Sequence, residues 1–195
     1  MIAKQFGKTG RKVFVLGLGT YGHGEAYGGI SKENSLEVMR EIIKNIPADG
    51  LFLIDTAPRY GNGKVEEWIG EFIRENGQNN ILIATKGGRH IEQDRVNEKD
   101  FSEKFLSYDL ENSIKRLCIN KIFLYQLHNP GIKIIKEGAV FELLEQFRNE
   151  GKIEFYGVSI DNPDEGIAAI NYCKKKTLKA SLQYKLFTTY CKKED

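Results

Sequence analysis

Three times in succession this chain repeats one pattern: an apolar run that closes on a single polar residue, a loop, and then a stretch of helical periodicity. Leu51-Phe-Leu-Ile-Asp55 is followed by a glycine-punctuated loop carrying Tyr60, and then by Val65, Trp68, Ile69, Phe72 and Ile73 at helical spacing. Ile81-Leu-Ile-Ala-Thr-Lys86 leads through a loop of mixed charge to Leu106, Leu110, Ile114 and Leu117. Ile122 to His128 repeats it, with a helix over Val140–Glu150 and Gly151 just beyond its end. Around these units lie an apolar run at Val13–Leu16 with a helix from Ser31, a strand at Phe155–Ser159 with a helix capped by Asn162-Pro163-Asp-Glu165, and a last strand at Ala180–Tyr184.

Strict alternation of this kind predicts an α/β chain with a parallel sheet and right-handed crossovers. The strand ends present Asp55, Lys86, His128 and Ser159 in succession, a ring of polar groups that a closed barrel gathers round one mouth. The expectation is a TIM-type (β/α)8 barrel, but such barrels typically run to ~250 residues and eight strands. With 195 residues the chain has room for an incomplete barrel of about six βα units, in a single domain over 1–195.

Several function classes lose support. A net charge of +2 is too weak a bias for nucleic acid, and no apolar run is long enough to span a bilayer. Three scattered cysteines without a C-x-x-C suit reduced thiols and a cytoplasmic setting. The three histidines show no metal-ligand spacing, so no metal is expected. There is no G-x-S-x-G, and Gly63-Lys64-Val65 lacks the frame of a phosphate-binding loop. Gly17-x-Gly19-x-x-Gly22 matches the dinucleotide fingerprint in letters only, because the loop continues through Gly24, Gly28 and Gly29 before a helix starts at Ser31.

The chemistry at the mouth follows from residue types. A phenol is a weak acid, and an adjacent ammonium stabilises its anion; Lys86 could supply that ammonium to Tyr60, with Asp55 keeping the lysine charged. His128 could orient a carbonyl oxygen beside Tyr60. Together the four make a proton donor aimed at an oxyanion, the electrostatic half of a carbonyl reduction. No side chain supplies hydride, so a nicotinamide cofactor would have to. Taken singly, each residue has an ordinary reading as a turn, loop, surface or core position. Jointly, four suitable residues at the mouths of three consecutive strands are much harder to obtain by chance.

At these residues the chain resembles the aldo-keto reductases. The likeness is carried by Leu-Gly-Leu-Gly-Thr-Tyr at 16–21, Asp55-Thr-Ala with Tyr60-Gly-Asn-Gly, Glu66 and Gly70, Thr85-Lys86, Ser113-Ile-Lys-Arg-Leu117, Leu124-Tyr-Gln-Leu-His128, Gly157-Val-Ser159 and Gln183. The resemblance implies a (β/α)8 barrel binding NADP(H) rather than NAD(H), with Asp55, Tyr60, Lys86 and His128 as the catalytic set. It implies cofactor contacts at Gly19, Thr20, Asp55, Ser159 and Gln183, and a substrate pocket lined by Tyr21, Tyr60 and His128. The substrate would be a small carbonyl compound or alcohol. Glu154 and Ile160 depart from the family pattern, leaving Asp161 or Asn162 to replace one nicotinamide contact. The seventh and eighth βα units are missing from the match. On this basis the alternatives are a non-catalytic truncated remnant or binding subunit with impaired cofactor binding, and a cofactor-free isomerase or lyase. Open barrel edges at the Val13 and Leu182 strands predict self-association.

Overall fold

The computed structural model describes residues 2–7, 9–24, 28–47, 50–78, 80–96 and 98–176. Five strands form the parallel sheet: β3 (Leu18–Gly19), β4 (Phe52–Asp55), β5 (Ile81–Gly87), β6 (Ile122–His128) and β7 (Ile153–Ser159), ordered β3-β4-β5-β6-β7. The crossovers carry α1 (Lys32–Lys44), α2 (Lys64–Asn76), α3 (Glu103–Leu117), α4 (Gly131–Glu137) and α5 (Ala139–Asn149), and α6 (Pro163–Lys176) follows β7. Strand order equal to chain order is what a barrel wall requires, and the sheet is an arc of the (β/α)8 architecture. Five βα units fall within the described residues. The strand read at Ala180–Tyr184, with Gln183 and the Leu182 edge, lies outside them.

Side-chain caps start three helices, at Ser31 and Asn162 as the sequence indicates and also at Ser102. Ser31 accepts from the Asn34 amide at 3.2 Å, Ser102 from the Phe105 amide at 3.3 Å, and Asn162 from the Glu165 amide at 3.1 Å. Each side chain satisfies one amide that the first helical turn leaves without a partner. The short helix α4 carries little helical period of its own, since it is seven residues long and ends at Gly138, with φ +78°, before α5 begins.

The Val13–Leu16 run is not a barrel strand. Lys12–Phe14 (β2) pairs antiparallel with Ala3–Gln5 (β1), Val13 lying opposite Lys4. The parallel sheet begins instead at β3, where Leu18 and Gly19 pair with Ile54 and Asp55. The edge expected at Val13 is therefore already paired. The hairpin also reaches across the arc: Phe6 packs on Phe123 with ring centroids 5.7 Å apart, and Arg11 binds Glu154 at 2.9 Å. Glu154, a departure from the family pattern, thus serves as the hairpin's anchor on β7.

The main core lies between sheet and helices, where Phe52, Ile54, Ile81, Ile83, Tyr125 and Tyr156 meet Ile69, Phe72, Leu106, Leu110 and Phe147. A smaller cluster of Ala84, Phe123 and Leu124 is joined by Phe6, Leu53, Leu82 and Phe155. No described helix is long and apolar enough to cross a membrane.

Helices α2 and α3 approach closely at Gly70, where an added Cβ would lie 2.0 Å from the Arg116 carbonyl oxygen and 2.9 Å from the Leu117 carbonyl carbon. Both are backbone atoms and cannot rotate away. Gly70→Ala should therefore force α2 from the end of α3 and destabilise the fold by about 1–3 kcal/mol, seen as a lower urea midpoint at unchanged slope. An unaltered midpoint would show that the helices part at no cost.

Candidate active site

The site is built by the ends of three adjacent parallel strands. Pairing sets Asp55 beside Ala84, Lys86 beside Gln126, and His128 beside Ser159. Side chains alternate across a strand, so Lys86 faces the same side as Asp55 while Thr85 faces α2. Lys86 is fully buried and its ammonium has three donors to satisfy. Its Nζ donates to Asp55 Oδ1 at 2.9 Å, to the Thr56 carbonyl at 2.8 Å and to the Tyr60 hydroxyl at 3.1 Å. Burial pushes the lysine pKa down, and the Asp55 carboxylate opposes that shift by charge and hydrogen bond, helped by the more distant Glu66.

Tyr60 reaches this position because the chain reverses sharply after Pro58. Gly61, Asn62 and Gly63 all take positive φ, and the Gly63 amide donates to the Pro58 carbonyl at 2.6 Å. The ring is buried between aromatic neighbours: Tyr21 lies edge-on with centroids 5.3 Å apart, and the His128 ring is perpendicular at 6.3 Å. Lys86 Nζ is 4.9 Å from the Tyr60 centroid. Opposite this loop, the 3-10 turn Tyr21–His23 ends at Gly24, where a Cβ would stand 2.4 Å from the Gly61 nitrogen. Glycine there lets the two loops touch and holds Tyr21 against Tyr60.

Four of the residues read from the sequence therefore meet: Asp55, Tyr60 and Lys86 in direct contact, with His128 against the tyrosine ring. Tyr21 joins them, exposed enough to line an opening. Thr20 is fully buried, and its amide and hydroxyl both donate to the Asp55 carbonyl, at 2.9 and 3.0 Å, so it supports the end of β4. Gly19 pairs with Asp55, and Ser159 is buried next to His128 in the register. Asn162 is occupied in capping α6, and Asp161 accepts from Asn129 Nδ2 at 2.5 Å.

Behind β5 lies a second polar cluster whose members the sequence analysis names only in part. Glu66, fully buried, accepts from Thr85 Oγ1 at 2.6 Å, Arg116 Nε at 2.8 Å and Ser113 Oγ at 3.3 Å. Asp109 accepts from the Gly88 amide at 3.0 Å, close to the Tyr125 hydroxyl, which is buried without a hydrogen-bond partner. The signal for Asp109 was a carboxylate on the buried face of α3, between Leu106 and Leu110. Arg59 and Arg89, both half-buried at the mouth, also went unread; Arg89 Nε donates to the His128 carbonyl at 3.3 Å.

The profile of the Aldo/keto reductase family matches residues 15–192. The chain belongs to that family. An aldo-keto reductase of Bacillus subtilis, YhdN, is 35% identical over 163 residues, covering 77% of this chain and 44% of its own length. The solved holo form of an aldo-keto reductase from Bacillus halodurans superposes with a TM-score of 0.77 at 26% identity, over 94% of this chain and 57% of that one. A glycerol dehydrogenase of Gluconobacter oxydans gives 0.68 at 27% identity, over 89% and 52%. The chain spans about half the length of the curated relatives it matches.

Burial sets a measurable pH dependence at Asp109, whose pKa is raised to about 7 by desolvation against the pull of the Gly88 amide. Between its unfolded value near 3.8 and about 7 the folded chain keeps a proton that the unfolded chain has lost. Stability should therefore fall as pH rises through that window, by on the order of a few kcal/mol, and stay low above it. Asp109→Asn keeps an acceptor for Gly88 without the charge. Urea unfolding at about pH 5 and about pH 8 should show the variant gaining on the parent at the higher pH. An equal difference at both would place the ionisation elsewhere.

Proposed function

We propose that the chain is an NAD(P)H-dependent oxidoreductase interconverting an aldehyde or ketone with the alcohol, with Tyr60 as general acid. The observation that carries this reading is the buried Lys86 ammonium, whose three protons are spent on Asp55, the Thr56 carbonyl and the Tyr60 hydroxyl. A tyrosine held this way passes its proton to a carbonyl oxygen while the ammonium meets the negative charge left on the phenol. Asp55 keeps that fully buried ammonium charged. His128, perpendicular to the Tyr60 ring, is placed to orient the substrate oxygen toward the phenol. In the reverse direction the phenolate accepts the alcohol proton, and a relative named as a glycerol dehydrogenase fits either direction.

The donor set fits a nicotinamide partner because it moves a proton and contains no group able to give hydride. When bound, the cofactor supplies that hydride. Ser159, buried at the end of β7 beside His128, and the Gly19–Thr20 segment beside Asp55 are the described residues we assign to it, with Gln183 as a further contact. The family resemblance favours NADP(H) over NAD(H). Free thiols at Cys118 and Cys173 suit a cytoplasmic setting. The competing reading is a binding chain without turnover, and NADPH titration followed by a turnover assay separates the two.

Tyr60→Phe should lower kcat on the order of 10²–10⁴-fold and leave NADPH affinity nearly unchanged, because the proton is donated only as the oxyanion develops. Comparable turnover in the Phe variant would sink the assignment. Lys86→Met should also suppress turnover and move the residual pH profile upward, since the phenol then loses its cationic neighbour. A still active variant with an unmoved profile would argue against the coupling.

A further inference from the structure

Tyr21 stands on a turn of three residues, Tyr21–His23, and its ring is 43% exposed, yet it keeps an edge-on contact with Tyr60. A half-exposed aromatic on so short a turn holds one place only if the turn itself is held. Three contacts hold it. At the near end Thr20 is tied to the Asp55 carbonyl by both its amide and its hydroxyl. At the far end Gly24 abuts the Tyr60 loop, where a Cβ would stand 2.8 Å from the Tyr60 Cα. Between them His23 meets α1, its Nδ1 lying 2.7 Å from Ser35 Oγ.

Ser35 is fully buried on the face of α1 that also carries Leu36 and Met39. A helical serine can satisfy its hydroxyl on the carbonyl one turn back, so it needs no partner from outside its own helix. The bond to His23 is thus a tether more than a repair of buried polarity. Burial lowers the His23 pKa, which leaves the ring uncharged at neutral pH. An uncharged ring nitrogen either donates to the hydroxyl or accepts from it, so the contact survives in both tautomers. We propose that His23 is a positioning residue, which through Ser35 fastens the Tyr21 turn to α1 and so fixes the aromatic wall that holds the carbonyl compound beside Tyr60. The part that concerns substrate rests on the reductase reading, whereas the tether stands on the contact alone. Without the tether the ring swings off Tyr60 and substrate binding loosens, while Asp55, Lys86 and Tyr60 keep the contacts that serve the chemical step.

The test uses Ser35→Ala and His23→Phe, with His23→Asn as the rescue because its amide reaches the place of Nδ1. Nuclear Overhauser effects between the Tyr21 and Tyr60 rings report the contact without any need of turnover. They should be present in the parent chain, weaken in the first two variants and return in the third. With NADPH and benzaldehyde, KM should rise about three- to tenfold in the first two, the scale of one hydrogen bond, at unchanged kcat. Ring contacts that are absent from the parent, or equally strong in Ser35→Ala and His23→Phe, overturn the tether. Weakened contacts with KM unmoved overturn the assignment of the turn to the substrate wall. A fall in kcat at unchanged KM overturns the positioning role by placing His23 in the chemical step. A chain that reduces no aldehyde defeats the reductase reading, and the ring contacts then decide the tether by themselves.

Discussion

A lysine ammonium that leaves water must regain three hydrogen bonds and a countercharge inside the protein, and Lys86 takes all of them from one short stretch, Asp55 to Tyr60. That demand fixes the end of β4, the turn after Pro58 and the height of the tyrosine ring together. The burial is costly by itself, since desolvation is the largest influence on the lysine and works against its charge. Removing any one acceptor would leave a buried donor unsatisfied, so the surrounding geometry is over-determined. The tyrosine hydroxyl is thereby held beside the ammonium in one fixed position.

Strand β5 carries a second ion pair on its other face, where Glu66 joins Arg116, Thr85 and Ser113. Lys86 and Thr85 are adjacent, so a one-residue slip in the pairing of β4 and β5 would turn the lysine toward α2 and the threonine toward Asp55. Both clusters would then lose their partners. The two buried polar sets therefore specify register, a task that the nearly uniform apolar run Ile81–Ala84 could not perform alone.

Asp55, Lys86 and His128 are legible in the sequence because each closes an apolar run, and a polar residue there marks the end of a buried parallel strand. Tyr60 is legible through the glycines that turn the chain around it. The Val13 run misleads for a physical reason: four apolar residues read the same in a barrel strand or a hairpin, and its partner Ala3–Gln5 is exposed, with no alternation to announce it. The true first strand is two residues long and half glycine, so it carries almost no apolar signal. Arg89 escapes notice because it is anchored on a carbonyl, and backbone acceptors leave no trace in residue identity.

The hairpin that displaces the Val13 strand bears on how the chain reaches its folded state. Arg11 and Glu154 are 143 residues apart, whereas Lys86 and its acceptors are separated by 26 to 31. Closing the longer span removes more chain entropy, and against that stand a half-exposed ion pair, the edge of a phenylalanine cluster, and Phe14, which is buried in the main core with its amide on the Leu51 carbonyl. The polar centre can thus assemble while the N-terminal ribbon is still loose. The ribbon then closes the end of the strands opposite the buried ammonium, and lifting it away would uncover Phe14 and the core beneath.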